Sequence, residues 1–429
     1  MNRSLRIVSA ALAALACSAG HAPVPVHAAT LTYTAPSHAF RPFHASRVRP
    51  AASVTLPAVI VKPAVDGSDQ ADALQTALNA LQAGQTLILS PGRYTVSRSL
   101  SVAMSGVVVS GYGATLAATD PADQTIVMSG ADSTLVGVTL IGAGTTRLAT
   151  PASTKVEVTG TGVQVLGVTV QGGASAGIFV FGGRNVAIVG NTVRATLADG
   201  IHMTDGAANV LVQGNTVTGT GDDLIAVVSY LSDGRVSNNV LIDHNTVSGN
   251  YWGRGIAVVG GQAVTISNNT VDGVQKAAGI LVAQEDSWRT YGVSNVVVDN
   301  NVVSNVQNAN VDNGLLPTQQ GALELDTWSG TVSYVVVTRN RVTGSGYTGF
   351  RALGNVCAFE AANNAFASIA QAPVSLLSRG CPAGRIVVAG NTLDGVALVA
   401  PVGASPSGTI QATGAATATM PQVRTNLMR

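Results

Sequence analysis

Along most of the chain, apolar positions alternate with small or polar ones in short runs such as Val186-Ala-Ile-Val and Ile201-His-Met-Thr, each punctuated by glycine or asparagine. Period-two alternation bounded by such residues predicts brief, half-buried strands. The runs also recur on a longer beat. An apolar-x-Asn-x-apolar motif centres on Asn191, Asn215, Asn245, Asn269, Asn301, Asn340, Asn364 and Asn391, at spacings of 24, 30, 24, 32, 39, 24 and 27 residues. Gly137 and Gly167, in Val-Gly-Val-Thr-Leu and Leu-Gly-Val-Thr-Val, extend the series backwards. A base period near 24 with variable insertions is the signature of a solenoid whose coils share one cross-section and extend loops from it. The pattern predicts an all-β fold, a single-stranded right-handed parallel β-helix with Val, Ile and Leu stacked inside. The asparagines read as structural, because Asn tolerates left-handed turns and its amide stacks in ladders.

Ahead of the coils, Ser68 or Asp69 is placed to cap a short helix whose Leu74, Leu78 and Leu81 recur at helical spacing up to Gly84. Residues 1–29 carry two early arginines, an apolar run from Ile7 to Cys17 and small residues at Ala28 and Ala29, which reads as a secretory signal. That run is short of the ~20 residues a membrane helix needs. A secreted or periplasmic protein with no membrane partner is expected. Residues 30–57 read as disordered linker, 58–400 as the β-helix and 401–429 as a low-complexity tail. If Cys17 leaves with the signal, Cys357 and Cys381 remain, 24 residues apart, a spacing at which adjacent coils bring them together as a disulfide. Two buried thiols are the alternative.

Composition narrows the function. Charged residues make up only 10% of 429, against roughly a quarter in an average soluble domain, and aromatics only 4%. The core is therefore built from small and β-branched side chains. Net charge is +1, with three lysines, which argues against a nucleic-acid partner, since nonspecific affinity for phosphate comes from clustered Lys and Arg. A helix at one end and a polar tail at the other suggest a capped monomer.

Chemistry in a solenoid is read down columns, because equivalent positions of neighbouring coils lie ~4.8 Å apart. If Ile201, Ile225, Ile256 and Ile280 are equivalent, the residues two before them are Asp199, Asp223, Arg254 and Ala278. Two carboxylates and a guanidinium then share one edge, with Asp222 beside Asp223 and His202 pointing outward after Ile201. Like charges stacked in this way raise at least one of their pKa values, which supplies one acid and one base, the pair that glycosidic cleavage by water requires.

Residues 86–96, Thr-Leu-Ile-Leu-Ser-Pro-Gly-Arg-Tyr-Thr-Val, together with the preceding helix, resemble the opening of the pectate-lyase-like superfamily. Asp199-Gly200-Ile201, Gly221-Asp222-Asp223 and Gly253-Arg254-Gly255 look like three successive motifs of the polygalacturonases, glycoside hydrolase family 28. The resemblance implies an inverting hydrolase with Asp222 as general acid and Asp199 and Asp223 holding the attacking water, and no metal or other cofactor. The chain departs from that family where Arg254 replaces its histidine, where Leu197-Ala198 precedes the first aspartate, and where Gly279-Ile-Leu-Val lacks its Arg-Ile-Lys. Those missing basic residues bind galacturonate in the family.

The same column admits other chemistry. Aspartates holding Ca²⁺ beside Arg254 as a base resemble the working parts of a pectate lyase or uronan C5-epimerase. A non-catalytic polysaccharide-binding solenoid is the third reading. All three take a polysaccharide partner. Trp252, Trp288 and Trp328, the only tryptophans, fall in coils that also carry Glu285, Asp286, Glu324 and Asp326, which suggests a sugar groove. Tyr230 and loop 230–238 are placed to wall it, His202 to contact sugar, and Lys276 or Arg289 to meet a charged one. His244, beside the asparagine bend, reads as structural.

Overall fold

The computed structural model describes residues 58–308, 316–379, 386–398 and 407–410. The signal, the linker, most of the C-terminal tail and Cys381 lie outside the described residues. Cys357 is disulfide-bonded.

The chain winds as an all-β, right-handed parallel solenoid of about 12 turns. A typical coil contributes three strands, for instance Ile201–Thr204, Ala208–Gln213 and Thr216–Thr218. The first two kinds join a 23-stranded sheet and the third a 13-stranded one. Pairing between coils is parallel, with Ile201 facing Ile225, then Ile256, then Ile280, then Leu323. These side chains point inward and are at most 1% exposed. Alternation sends their neighbours His202, Ala226, Ala257, Leu281 and Glu324 to the outer face. The column inferred from sequence spacing is thus the column the strands build.

The asparagines form one continuous ladder. Each Nδ2, from Asn191 to Asn364, donates to the next Oδ1 at 2.9–3.0 Å, and the backbone N–H of the same residue donates to that same oxygen. Each Nδ2 also reaches a backbone carbonyl, so these buried amides are satisfied. The left-handed residue is the one before each asparagine, not the asparagine itself: Gly190, Gly214, His244 and Asn268 have φ of 66°, 64°, 53° and 56°. His244 is structural in this sense, and its Nδ1 lies 2.6 Å from Asp243 Oδ2.

Helix α1 (Ala71–Asn79) closes the N-terminal end of the core with Ala71, Leu74 and Leu78. It stops short of the expected Gly84. Gln70 is its N-cap and gives no side-chain cap. Asp69 instead accepts the N–H groups of Ala71 and Ser97, tying the helix start to the next coil.

Candidate active site

Two consecutive coils deliver the acids, Asp199 from one and Asp222 and Asp223 from the next, and a third delivers Arg254. The N–H groups of Gly177, Gly200 and Leu224 donate to the carbonyls of Asp199, Asp223 and Arg254, which fixes the three residues in one column at the mouth of the outward face. One oxygen from each of Asp199, Asp222 and Asp223 lies within 4.8 Å of the other two. Side-chain exposure grades from 8% for Asp223 through 13% for Asp199 to 21% for Asp222, so Asp222 is the most accessible.

Each carboxylate has its own support. Asp199 Oδ2 lies 2.6 Å from His202 Nδ1. Asp223 Oδ1 accepts the Arg254 backbone N–H at 2.6 Å, and Arg254 Nη1 stands 3.7 Å away. Arg254 Nη2 pairs with Glu285 from the following coil. Asp222 Oδ2 accepts from Arg147 Nη1 at 2.8 Å, while its backbone carbonyl takes the Thr220 hydroxyl. Gly253 makes this packing possible, since a Cβ there would collide with the N and Oδ1 of Asp223.

Burial first, and then the negative charge of Asp199, push the Asp222 carboxyl above the usual range, against the pull of Arg147 and Arg254. Burial pushes Asp223 well above its ordinary value, with Arg254 opposing and Asp222 and Asp199 adding to it. Burial also opposes the charge on Arg254, but Glu285 and the three aspartates outweigh it and make the guanidinium more basic than usual. Tyr230 is pushed up by burial and by Asp199 and Asp222, so it stays a phenol.

Tyr230 is half-buried. It packs on an outward apolar patch that includes Ala226, Val228, Ala257 and Leu281. Its loop is joined to the 285–292 loop by the Leu231 N–H donating to Arg289 O at 2.8 Å. Trp252 is 40% exposed and carries Lys276 Nζ 3.5 Å from its ring centroid. Trp288 is exposed as well. Asp286 accepts from Ser329 and Gln284, which hold it below the usual carboxylate range.

The remaining acids lie apart. Glu324 and Asp326 belong to a coil four steps from that of Asp199, about 19 Å along the axis. Glu324 is buried, bound by Arg351 Nε at 2.8 and 3.0 Å and by the Gly321 N–H at 2.7 Å, and burial pushes its carboxyl up to about 8. It is out of reach of a sugar on the surface. Asp326, also raised by burial, faces Arg351, Glu285 and Arg254 across the intervening coils. Trp328 is 70% exposed, with Arg379 5.7 Å from its ring.

Two site residues escape sequence reading. Arg147 comes from 75 residues before Asp222, in a loop with no periodicity and no motif. Asn250 donates to the carbonyls of Arg254 and Asp222 at 3.0 and 3.4 Å and braces the Asp222–Arg254 segment. The only signal for it was its place in the loop before Gly253.

A family model described as "Right handed beta helix region" matches residues 153–241 and 230–366. The chain belongs to the right-handed β-helix superfamily. Among solved structures it is similar to the catalytic domain of a GH87 α-1,3-glucanase in complex with tetrasaccharides, at 16% identity and TM-score 0.59, over 80% of this chain and 71% of that one. It is also similar to the A-module of the Azotobacter vinelandii mannuronan C-5 epimerase AlgE4 (16%, TM-score 0.52, 73% and 96% covered). A third is PfbA, a surface adhesin of Streptococcus pneumoniae (16%, TM-score 0.57, 79% and 90% covered). No curated protein matches the sequence. At these identities the likenesses establish the fold. Among the described residues no helix is long and apolar enough to cross a membrane.

Proposed function

We propose that the chain is a secreted β-helix glycoside hydrolase acting on a neutral polysaccharide, with Asp222 as general acid and Asp199 and Asp223 holding the attacking water. The observation that carries this is the cluster of three carboxylates within 4.8 Å of one another, of which Asp222 is the most accessible and is held above the usual range by burial and by Asp199. A carboxyl held above its ordinary range is placed to protonate the leaving oxygen while a neighbouring carboxylate takes a proton from water. The nearest oxygens are closer than the ~6.5–9.5 Å usual for one acid facing one base across a water. Two carboxylates sharing one water at the edge of the cluster fit that spacing.

The GH87 glucanase adds support of a second kind. Two of its structures carry aspartate-to-alanine substitutions at positions 24 residues apart. Asp199 and Asp223 have the same separation. A neutral substrate fits the charges, because Arg147, Arg254 and Arg351 are all engaged by carboxylates and offer no free fork to a uronate. Lys276, seated on Trp252, and the exposed Arg289 are the groove cations left to meet an acidic sugar among the described residues.

The calcium-dependent lyase or epimerase reading has one observation in its favour: three oxygen donors within 4.8 Å are what Ca²⁺ accepts. It asks Arg254 to act as base, yet this guanidinium is paired with Glu285 and is more basic than usual, so it stays protonated. The test is incubation with neutral and acidic polysaccharides, with calcium or with chelator, following reducing ends and unsaturated-uronate absorbance together. Reducing ends from a neutral glucan without absorbance, unaffected by chelator and reduced at least ~100-fold in Asp222→Asn, are expected. Absorbance that chelator abolishes would establish the lyase. Retained polysaccharide affinity with no turnover, unchanged in Asp199→Asn and Asp223→Asn, would establish a binding solenoid.

A further inference from the structure

We propose that His202 is a positioning residue for Asp199, a clamped ring whose Nδ1–H holds that carboxylate aimed as the water-holding base. The inference rests on the hydrolase reading and gives His202 a role other than contact with sugar.

His202 points to the outer face, where a surface histidine would be expected, but it is only 6% exposed. Phe179 of the preceding coil stacks on it, with ring centroids 4.9 Å apart and planes 20° from parallel. On the other side the column continues with Ala226, whose methyl leaves room for the imidazole. The ring is thereby clamped between coils with one edge against Asp199 Oδ2, 2.6 Å from Nδ1. Its other nitrogen, Nε2, is buried and has no hydrogen-bond partner among the described residues.

That orphan nitrogen decides the protonation state. With the proton on Nε2 alone, the Nδ1 lone pair would face a carboxylate at contact distance, which is repulsive. With both nitrogens protonated, a buried N–H⁺ would have no acceptor, the more costly kind of unmet polar group. The neutral Nδ1–H form leaves only a lone pair unmet. A donor of this kind fixes which oxygen of Asp199 turns to the water. The groups acting on Asp199 from other elements are Asp222 and Asp223 of the next coil, Arg254 of the one after, Arg147 and Tyr230. Glu157 lies beyond Phe179 in the same outward column.

The test uses His202→Phe, which keeps a ring on Phe179 and loses the donor, and His202→Asn, which returns an N–H near the position of Nδ1. His202→Phe should lower kcat about 10- to 100-fold, less than the loss of the acid–base group itself. KM should stay within about threefold and the acidic limb of the kcat profile should move to higher pH. His202→Asn should recover most of the rate. Unchanged kcat and acidic limb in His202→Phe, a change in KM alone, or equal losses in both variants would overturn the proposal. A wild-type protein that releases no reducing ends would sink the hydrolase reading instead. The ring then remains readable by ¹⁵N–¹H NMR, with His202→Phe identifying the signal: a neutral Nδ1–H ring that responds to Asp199→Asn is expected, and an Nε2–H ring would refute it.

Discussion

Asp223 is anchored by the backbone of Arg254 before it meets the guanidinium: the Arg254 N–H reaches Oδ1 at 2.6 Å, whereas Nη1 stands 3.7 Å from the same oxygen. The side chain of Arg254 is turned toward Glu285. Coil stacking therefore places the carboxylate, and the glycine before Arg254 sets how closely the two strands approach.

Gly253→Ala tests that dependence. Its Cβ would overlap the Asp223 backbone nitrogen as well as Oδ1, and a backbone atom cannot step aside as a flexible side chain does. A displacement of about 1 Å at a reacting group costs on the order of 100-fold in rate. Hydrolysis should fall by roughly that factor while circular dichroism keeps its β-sheet signature. Full activity would mean that Asp223 needs no such fit.

Arg147 tunes the acid from outside the repeat. Among the influences on Asp222, burial and Asp199 raise its pKa and Arg147 lowers it. Arg147→Gln removes a lowering influence, so Asp222 should hold its proton to higher pH. The basic limb of the kcat/KM profile, where the general acid is lost, should move upward. A limb that stays in place or moves downward would separate Arg147 from the acid.

The ladder offers a stability test with an internal control. Asn245→Ala removes an amide that serves Asn215, Val212 and Asn269, leaving several buried groups unmet at about 1–3 kcal/mol each. Asn300→Gly, which keeps the left-handed backbone that a φ of 53° requires, breaks a single exposed contact to Asn268 Oδ1. Denaturant unfolding should register a loss of about 3 kcal/mol or more for the first and under about 1 kcal/mol for the second. Similar losses would mean that the amides contribute by something other than buried hydrogen bonding.

The sequence carried the coils because the repeat is local: a period near 24, alternating strands and recurring asparagines together give the register, and the register gives the column of Asp199, Asp223 and Arg254. It carried less at the level of single bends, where the left-handed residue proved to be the neighbour of each asparagine. Arg147 was invisible because its place depends on how a loop crosses neighbouring coils. Glu324 read as a groove acid because its surroundings in sequence are acidic and aromatic. Its burial depends on Arg351 and the Gly321 N–H, both brought in by the fold.

Lys155 shows the cost of an ionisable side chain inside such a core. It is 3% exposed, its Nζ donates to the Gln124 carbonyl at 2.9 Å, and among the described residues no carboxylate pairs with it. Burial without a counter-charge lowers it from the ordinary 10.5 to about 7. Between those values the unfolded chain binds a proton that the folded chain does not, so this group makes stability rise as pH climbs from about 7 to 10.5. Below about 7 both states are protonated and its contribution is flat, with the full penalty present. Lys155→Met keeps the length of the side chain and removes the charge. Denaturation midpoints should show the variant more stable than wild type at pH 6, by on the order of a few kcal/mol, with the gap closing toward pH 10. A gap independent of pH would mean that Lys155 reaches water or a counter-ion in solution.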